Sequence, residues 1–157
     1  MKKNRIILSL AVVLWLTSSV SAATIDRIAV RSEAMKKEIP VVVIVPDAAK
    51  SGVRMPVLYL LHGYSGDQET WLNVKPSLPQ MADRDSVIVV CPDGENSWYW
   101  DSPADPKNRY ETFVASELVK YIDKHYRTKA DRTGRAITGF SMGGHGALWL
   151  AFRHPET

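Results

Sequence analysis

One pentapeptide in this chain has the residue types and spacing of a serine nucleophile. Gly139-Phe140-Ser141-Met142-Gly143 lies between a short β-branched run and a helical pattern. A serine on a sharp strand-to-helix turn exposes its hydroxyl, and residues two positions away must be small because larger side chains would collide. The N–H groups of the following helix face the place where negative charge would develop. The pattern predicts nucleophilic catalysis by Ser141; the alternative is a glycine-rich helix start with a capping serine.

A second glycine-containing segment follows an apolar run over 57–61. This segment is His62-Gly63-Tyr64-Ser65-Gly66. Where a serine elbow is present, the loop after the third strand supplies a second oxyanion donor. His62 is a candidate base, but its position at a strand end favours packing and loop hydrogen bonding.

The elements that would position these segments alternate between strands and helices. Strands are predicted over 25–30, 39–45, 57–61, 86–91 and 136–138. Helices are predicted over 69–82, with breaks near its two prolines, and over 109–126 and 142–152. Asn108 and Glu111 are expected to form a capping box. Continuous apolar runs are typical of strands covered on both faces, so the pattern predicts an α/β sandwich with a mostly parallel sheet.

Several short motifs together resemble the esterase D family of α/β-hydrolases. This group contains S-formylglutathione hydrolases, feruloyl and acetyl esterases, enterochelin-esterase-like proteins and mycolyltransferases. The matching motifs, in the family's order, are Leu61-His62-Gly63-Tyr64-Ser65-Gly66, Cys91-Pro92-Asp93-Gly94 with Ser97-Trp98-Tyr99, Tyr110-Glu111-Thr112-Phe113 with Glu117-Leu118, Gly139-Phe140-Ser141-Met142-Gly143-Gly144 and Arg153-His154-Pro155-Glu156. The resemblance implies an α/β-hydrolase fold, Ser141 as the nucleophile, and an oxyanion hole made by the backbone N–H groups of Met142 and Tyr64.

An aromatic loop, Trp98-Tyr99-Trp100, follows the fourth predicted strand. In the family's sheet order it would face the site. Large flat side chains there could bind an aromatic acyl group or a sugar ring. The alternative is a loop that its aromatic residues hold to the core.

The acid and the base that a serine nucleophile needs are not found after Ser141. In α/β-hydrolases the order along the chain is Ser, then Asp or Glu, then His. Glu156 is the single acid after Ser141; His145 lies on the same helix, and His154 lies about 20 Å along it at ~1.5 Å per residue. We therefore expect residues 23–157 to be the N-terminal part of an esterase domain, truncated after the elbow helix.

The N-terminus has the pattern of an export signal. Lys2, Lys3 and Arg5 precede an apolar run over 6–16, and small residues lead to Ala22. Eleven helical residues rise only about 16 Å, too short for a ~30 Å bilayer core. The sequence predicts a signal peptide over 1–22, cleavage after Ala22 or Ala23, a secreted or periplasmic protein, and no membrane anchor after cleavage.

The charge and cysteine content of the chain indicate which partners and cofactors to expect. The net charge is +3, and the three basic residues of the signal account for all of it, so no nucleic-acid partner is expected. The single cysteine, Cys91, ends an apolar run and is interpreted as a small core residue. No Cys/His cluster has metal-ligand spacing, so neither a metal nor an organic cofactor is implied.

Together these features predict an exported serine carboxylic-ester hydrolase that works through an acyl-serine intermediate. The expected partner is a small-molecule or carbohydrate ester, with acetyl or feruloyl esters of polysaccharides as the favoured class. Two alternatives stay open: an acyltransferase on the same fold, and an inactive fragment or binding module.

Overall fold

A five-stranded mixed sheet crosses residues 23–157, which are the residues that the structure, a computed structural model, describes. The predicted signal peptide over 1–22 lies outside them. The strands, in spatial order β1-β2-β4-β3-β5, are β1 (Thr24–Ser32), β2 (Lys37–Val45), β3 (Val57–Leu61), β4 (Ile88–Pro92) and β5 (Arg135–Gly139). β2 pairs antiparallel with β1 and β4, whereas β3 pairs parallel with β4 and β5. Each predicted strand is present, with its ends within two residues of the prediction.

Helices connect the strands. They are α1 (Asp47–Lys50), α2 (Thr70–Val74), α3 (Leu78–Asp85), α4 (Tyr110–Thr112), α5 (Val119–His125) and α6 (Met142–Arg153). A π-helical segment, Phe113–Leu118, joins α4 to α5, so the predicted helix over 109–126 is continuous but locally widened. The predicted helix over 69–82 is two helices, because Pro76 lies in the turn between them and has no N–H to donate. Within residues 23–157, no helix is long and apolar enough to cross a membrane.

Apolar side chains cover both faces of the sheet. The larger cluster packs α6 and the run from α4 to α5 against one face, and the smaller cluster packs α2 and α3 against the other. Cys91 lies in the smaller cluster with 1% of its surface exposed, and burial raises the pKa of its thiol to about 12. This burial matches the interpretation of Cys91 as a core residue. Because helices cover both faces of the sheet, the strands are apolar on both sides and show no polar alternation.

The predicted capping box at Asn108 is wrong. Arg109 occupies the cap position of α4, and no side chain caps this helix. Asp101 of the preceding loop instead accepts a hydrogen bond from the Thr112 N–H (3.0 Å), which satisfies a first-turn donor from outside the helix. Glu111 is thereby free to turn away from its own backbone and toward α6.

Candidate active site

Ser141 lies on a strained turn between β5 and α6. Its backbone has φ 52° and ψ −122°, a region that non-glycine residues rarely adopt, and its side chain is exposed. Its carbonyl accepts the first hydrogen bond of α6, from the His145 N–H (3.0 Å). The strand-to-helix turn predicted around Ser141 is therefore present, with the hydroxyl at the start of the helix.

The two glycines that flank this turn are required by close backbone contacts. A Cβ on Gly139 would stand 2.6 Å from the Leu61 carbonyl oxygen, and a Cβ on Gly143 would stand 2.4 Å from the same atom. Both distances are shorter than any real Cβ contact, so no larger residue fits without moving the backbone. The prediction that only small residues fit two positions before and after Ser141 is thus confirmed.

The two predicted oxyanion donors follow neighbouring strand ends. Leu61 and Gly139 are register partners in the parallel β3–β5 pair, so the loops that carry Tyr64 and Met142 leave the same edge of the sheet. Within residues 23–157, neither the Tyr64 nor the Met142 N–H donates a hydrogen bond. Both amides therefore lack a protein acceptor, at the edge of the sheet where the turn of Ser141 begins.

The loop over 62–66 is held in place by its own contacts. The Asn96 side chain accepts a hydrogen bond from the Ser65 N–H (2.8 Å), and Ser65 has a left-handed φ of 63°. The Phe140 ring lies over Gly63, where an added Cβ would meet it at 2.8 Å. Trp71 packs edge-on against Phe140 and donates from Nε1 to the Leu61 carbonyl (3.0 Å). No local sequence pattern predicts these contacts.

His62 supports this loop and does not face Ser141. It is 1% exposed, and its Nε2 accepts a hydrogen bond from the Gly94 N–H (2.7 Å). Nδ1 therefore carries the proton and donates to the Gly63 carbonyl (2.7 Å). Since both ring nitrogens are engaged with backbone, His62 has the structural role that its strand-end position favoured.

The aromatic loop divides into a buried anchor and two exposed rings. Tyr99 is fully buried, packs against Gly94 and Gly146, and donates from its hydroxyl to the His62 carbonyl (3.3 Å). It cannot contact a substrate directly, so its assignment as a substrate-binding residue is wrong and the alternative of a loop held to the core applies to it. Trp98 and Trp100 are 43% and 46% exposed, and both stand edge-on to His145 at 5.5 Å.

Glu111 joins its own motif at the start of α4 to the Arg153-His154 motif at the end of α6. Its carboxylate accepts hydrogen bonds from Trp149 Nε1 (2.9 Å), Arg153 Nε (2.7 Å) and His154 Nε2 (2.9 Å). Burial raises the pKa of a carboxyl, but here these hydrogen bonds outweigh it and lower the pKa of Glu111. The ionised carboxylate ties α4 to the end of α6, the helix that begins at Ser141.

The described histidines do not supply a base to Ser141. Within residues 23–157 no hydrogen bond joins the Ser141 hydroxyl to any side chain. His125 stacks on Tyr121 at the surface, and His154 is bound to Glu111. Within residues 23–157, the turn of Ser141 and the two predicted oxyanion donors thus lie at one edge of the sheet, and no acid–base pair is bonded to the Ser141 hydroxyl. In the same residues, no group of three or more His, Cys, Asp or Glu side chains could hold a metal ion.

Comparisons with known proteins identify the family. The model of the family described as putative esterase matches residues 32–157. An esterase of Mycobacterium tuberculosis is 37% identical over 117 residues, covering 71% of this chain and 25% of that protein. The acetyl esterase of Caldicellulosiruptor saccharolyticus is 35% identical over 94 residues, covering 60% of this chain and 35% of that protein.

A solved structure shows the same fold. The S-formylglutathione hydrolase of Agrobacterium tumefaciens superimposes with a TM-score of 0.75 at 26% identity, over 87% of this chain and 57% of that one. The chain thus spans a quarter to a third of these curated relatives and just over half of this solved structure. A mixed sheet covered on both faces, a serine elbow after β5 and a family match over 32–157 agree with one another: this chain belongs to the putative esterase family of α/β-hydrolases.

Proposed function

We propose that the protein is an exported serine carboxylic-ester hydrolase that works through an acyl-serine intermediate. The observation that carries the proposal is the exposed Ser141 at φ 52°, held between two glycines that press against the Leu61 carbonyl. Strain of this kind persists where the surrounding structure imposes it, and such positions cluster at active sites. Membership of an esterase family supports ester hydrolysis as the chemistry.

In the proposed reaction, the Ser141 hydroxyl attacks the ester carbonyl carbon. The Met142 and Tyr64 N–H groups donate to the oxyanion that forms, and the N-terminal end of α6 adds its positive dipole. Collapse of this intermediate releases the alcohol and leaves an acyl-serine, which water then hydrolyses. The donors cost no reorganisation during the reaction because the strand ends of β3 and β5 fix both loops.

A base must take the proton from Ser141 and pass it to the leaving alcohol. We assign this role to a histidine, oriented by an acid, in the part of a complete hydrolase domain that residues 23–157 do not include. The limited coverage of the relatives supports this assignment. The nucleotide sequence beyond codon 157 tests it: a continued reading frame with an Asp or Glu and a later His supports an enzyme, and a stop codon supports an inactive fragment.

The favoured substrates are acetyl or feruloyl esters of polysaccharides. The similarity to an acetyl esterase supports the acetyl ester, and the predicted export signal would direct the protein to a space that contains polysaccharides. Exposed Trp98 and Trp100 offer flat apolar surfaces near the nucleophile's helix. These features favour an ester that carries a sugar or an aryl group over a cytosolic thioester.

The direct test uses protein expressed from the complete gene. A fluorophosphonate probe should label Ser141, as identified from the modified peptide by mass spectrometry, and Ser141→Ala should abolish both labelling and hydrolysis of p-nitrophenyl acetate. Ser65→Ala, in the neighbouring loop, is the control and should keep labelling. Labelling at Ser65 or Ser97 would contradict the assignment. Product analysis in the presence of a sugar acceptor distinguishes hydrolysis from acyl transfer.

A further inference from the structure

A second surface feature lies along α6, beyond the nucleophile. Trp98 and Trp100 flank the ring of His145, and Trp149 follows one turn further along the helix. A cleft of about 530 Å³ lies beside Trp100. Two tryptophans and four charged residues line it: Trp100, Trp149, Asp101, Arg109, Glu111 and Arg153. Its volume is within the range of small-ligand sites.

The backbone of the loop that carries Trp98 and Trp100 is strained at two consecutive residues. Trp98 and Tyr99 both have left-handed φ values, 57° and 59°, in consecutive bulky residues. Such a conformation is unfavourable for a bulky residue and persists only where surrounding contacts impose it. Buried Tyr99 supplies that constraint, and the hydrogen bond from the Tyr99 N–H to Ser97 Oγ (3.0 Å) fixes the turn. The result is a buried anchor between two exposed indoles.

The charges of the cleft favour a neutral ligand. Asp101 lies 3.1 Å from Arg109, and Glu111 lies 2.7 Å from Arg153, so each carboxylate already has a guanidinium partner. The two pairs sum to zero charge, which gives no attraction for an anion or a cation. The Asp101 and Glu111 carboxylates already accept hydrogen bonds within the protein, and Glu111 is buried. The Arg109 and Arg153 side chains are 43% and 54% exposed beside the aromatic wall, and the hydroxyl oxygens of a ligand can accept hydrogen bonds from their guanidiniums. An aryl acyl group has fewer polar atoms than a sugar to pair with these charged side chains.

The position of the cleft relative to Ser141 fits a substituent of the ester. His145 is four residues after Ser141 and Trp149 is eight, which at ~1.5 Å per residue places them about 6 Å and about 12 Å along the axis of α6. A polymeric alcohol that extends from the reacting carbonyl would reach the indoles within one to two sugar units.

We propose that Trp98, Trp100 and the adjoining cleft form a subsite for the neutral saccharide on the alcohol side of the ester. The proposal rests on the function proposed above and names the class of the alcohol. Pyranose rings stack their C–H faces on the indoles, while their hydroxyl oxygens accept hydrogen bonds from the half-exposed guanidiniums of Arg109 and Arg153. In an acetylated polysaccharide the sugar is the alcohol part of the ester, so this subsite would position the chain whose acetyl group is removed.

Binding is testable without any turnover. Protein expressed from the complete gene is titrated with unesterified xylohexaose and cellohexaose, and binding is followed by tryptophan fluorescence and calorimetry. We expect saturable quenching by at least one neutral oligosaccharide, and about tenfold weaker binding in Trp100→Ala and in Trp98→Ala, with circular dichroism to confirm folding. Phe152→Ala is the matched control, because Phe152 is an 82% exposed aromatic residue of α6 outside the cleft.

Three results would overturn the subsite. One is the absence of saturable binding to the unmodified chain, which does not depend on how any variant folds. Another is binding that neither tryptophan variant weakens. The third is tryptophan-dependent binding of ferulic acid without oligosaccharide binding, which would assign the rings to the acyl group instead. Failure of Ser141 to react with a fluorophosphonate would leave the binding result unchanged, so the two proposals fail separately.

Discussion

Gly143 packs directly against the carbonyl oxygen of Leu61, so that a Cβ on Gly143 would stand 2.4 Å from that oxygen and 2.6 Å from the His62 carbonyl oxygen. This contact joins the nucleophile turn to the end of β3 and leaves no space for a methyl group. The backbone, unlike a flexible side chain, cannot yield by a rotamer change.

We therefore expect Gly143→Ala to destabilise the protein by about 1–3 kcal/mol and to misplace the turn. Thermal unfolding measures the first effect, and the rate of fluorophosphonate labelling measures the second. Gly144→Ala is the control, because its Cβ would meet only Gly139 backbone atoms, at 3.3 Å and beyond. Equal unfolding temperatures for the two variants would show that the close contact does not constrain the turn.

The assignment of the Tyr64 N–H as an oxyanion donor predicts a selective loss of rate. Tyr64→Pro removes this N–H, whereas Tyr64→Phe keeps it and removes only the hydroxyl of an exposed side chain. We expect kcat for ester hydrolysis to fall by about 10²–10³ in the proline variant and to stay near the starting value in the phenylalanine variant. A proline variant that folds and retains full kcat would place the second donor elsewhere.

The predicted export signal fixes which residue should be first in the mature protein. Cleavage after Ala22 or Ala23 would give a secreted or periplasmic product that begins with Ala23 or Thr24. Mass spectrometry of the intact exported protein measures this directly. A variant with Lys2, Lys3 and Arg5 replaced by glutamate should accumulate uncleaved. A soluble cytoplasmic product that retains Met1 would contradict the prediction.

Much of the fold could be predicted from local pattern. The five strands follow from continuous apolar runs, and the elbow follows from two glycines at fixed spacing from Ser141, because both signals depend on neighbours in sequence. Glu111 shows where this reasoning fails. Its spacing from Asn108 satisfies the capping pattern, yet Asp101 takes the helix donor and the carboxylate binds Arg153 and His154, more than forty residues away. The capping pattern is intact within residues 108–111, but contacts with residues distant in sequence decide where the Glu111 side chain goes.

Tyr99 and its neighbours show a second limit. Three consecutive aromatic residues give no period, so the sequence cannot tell which ring faces inward. The outcome depends on Gly146, forty-seven residues later, where an added Cβ would stand 2.4 Å from the Tyr99 ring. The space for the buried ring is therefore made by α6 and cannot be read from the loop.

Glu111 is expected to stabilise the packing of α4 on α6 through its ionised form. Glu111→Gln keeps the shape of the side chain but removes the charge that binds Arg153 and His154, and it should cost about 1–3 kcal/mol in the free energy of unfolding. Denaturant unfolding at pH 7 measures this. Glu38→Gln, at an exposed position whose nearest cation is 4.0 Å away, is the matched control and should leave stability unchanged.

The same pair of proteins should differ in their response to acid. The pKa of Glu111 is lowered in the folded protein relative to its ordinary value of 4.5, so its contribution is fully present above pH 4.5 and is lost as the pH falls through the folded-state pKa. We expect the difference in unfolding free energy between the unmodified chain and Glu111→Gln to shrink toward zero as the pH falls below about 4.5. Unfolding curves at intervals of half a pH unit would record this. A difference that stays constant or grows below pH 4 would mean that the carboxylate is not held ionised by Arg153, Trp149 and His154, and that its link between the two helices depends on packing alone.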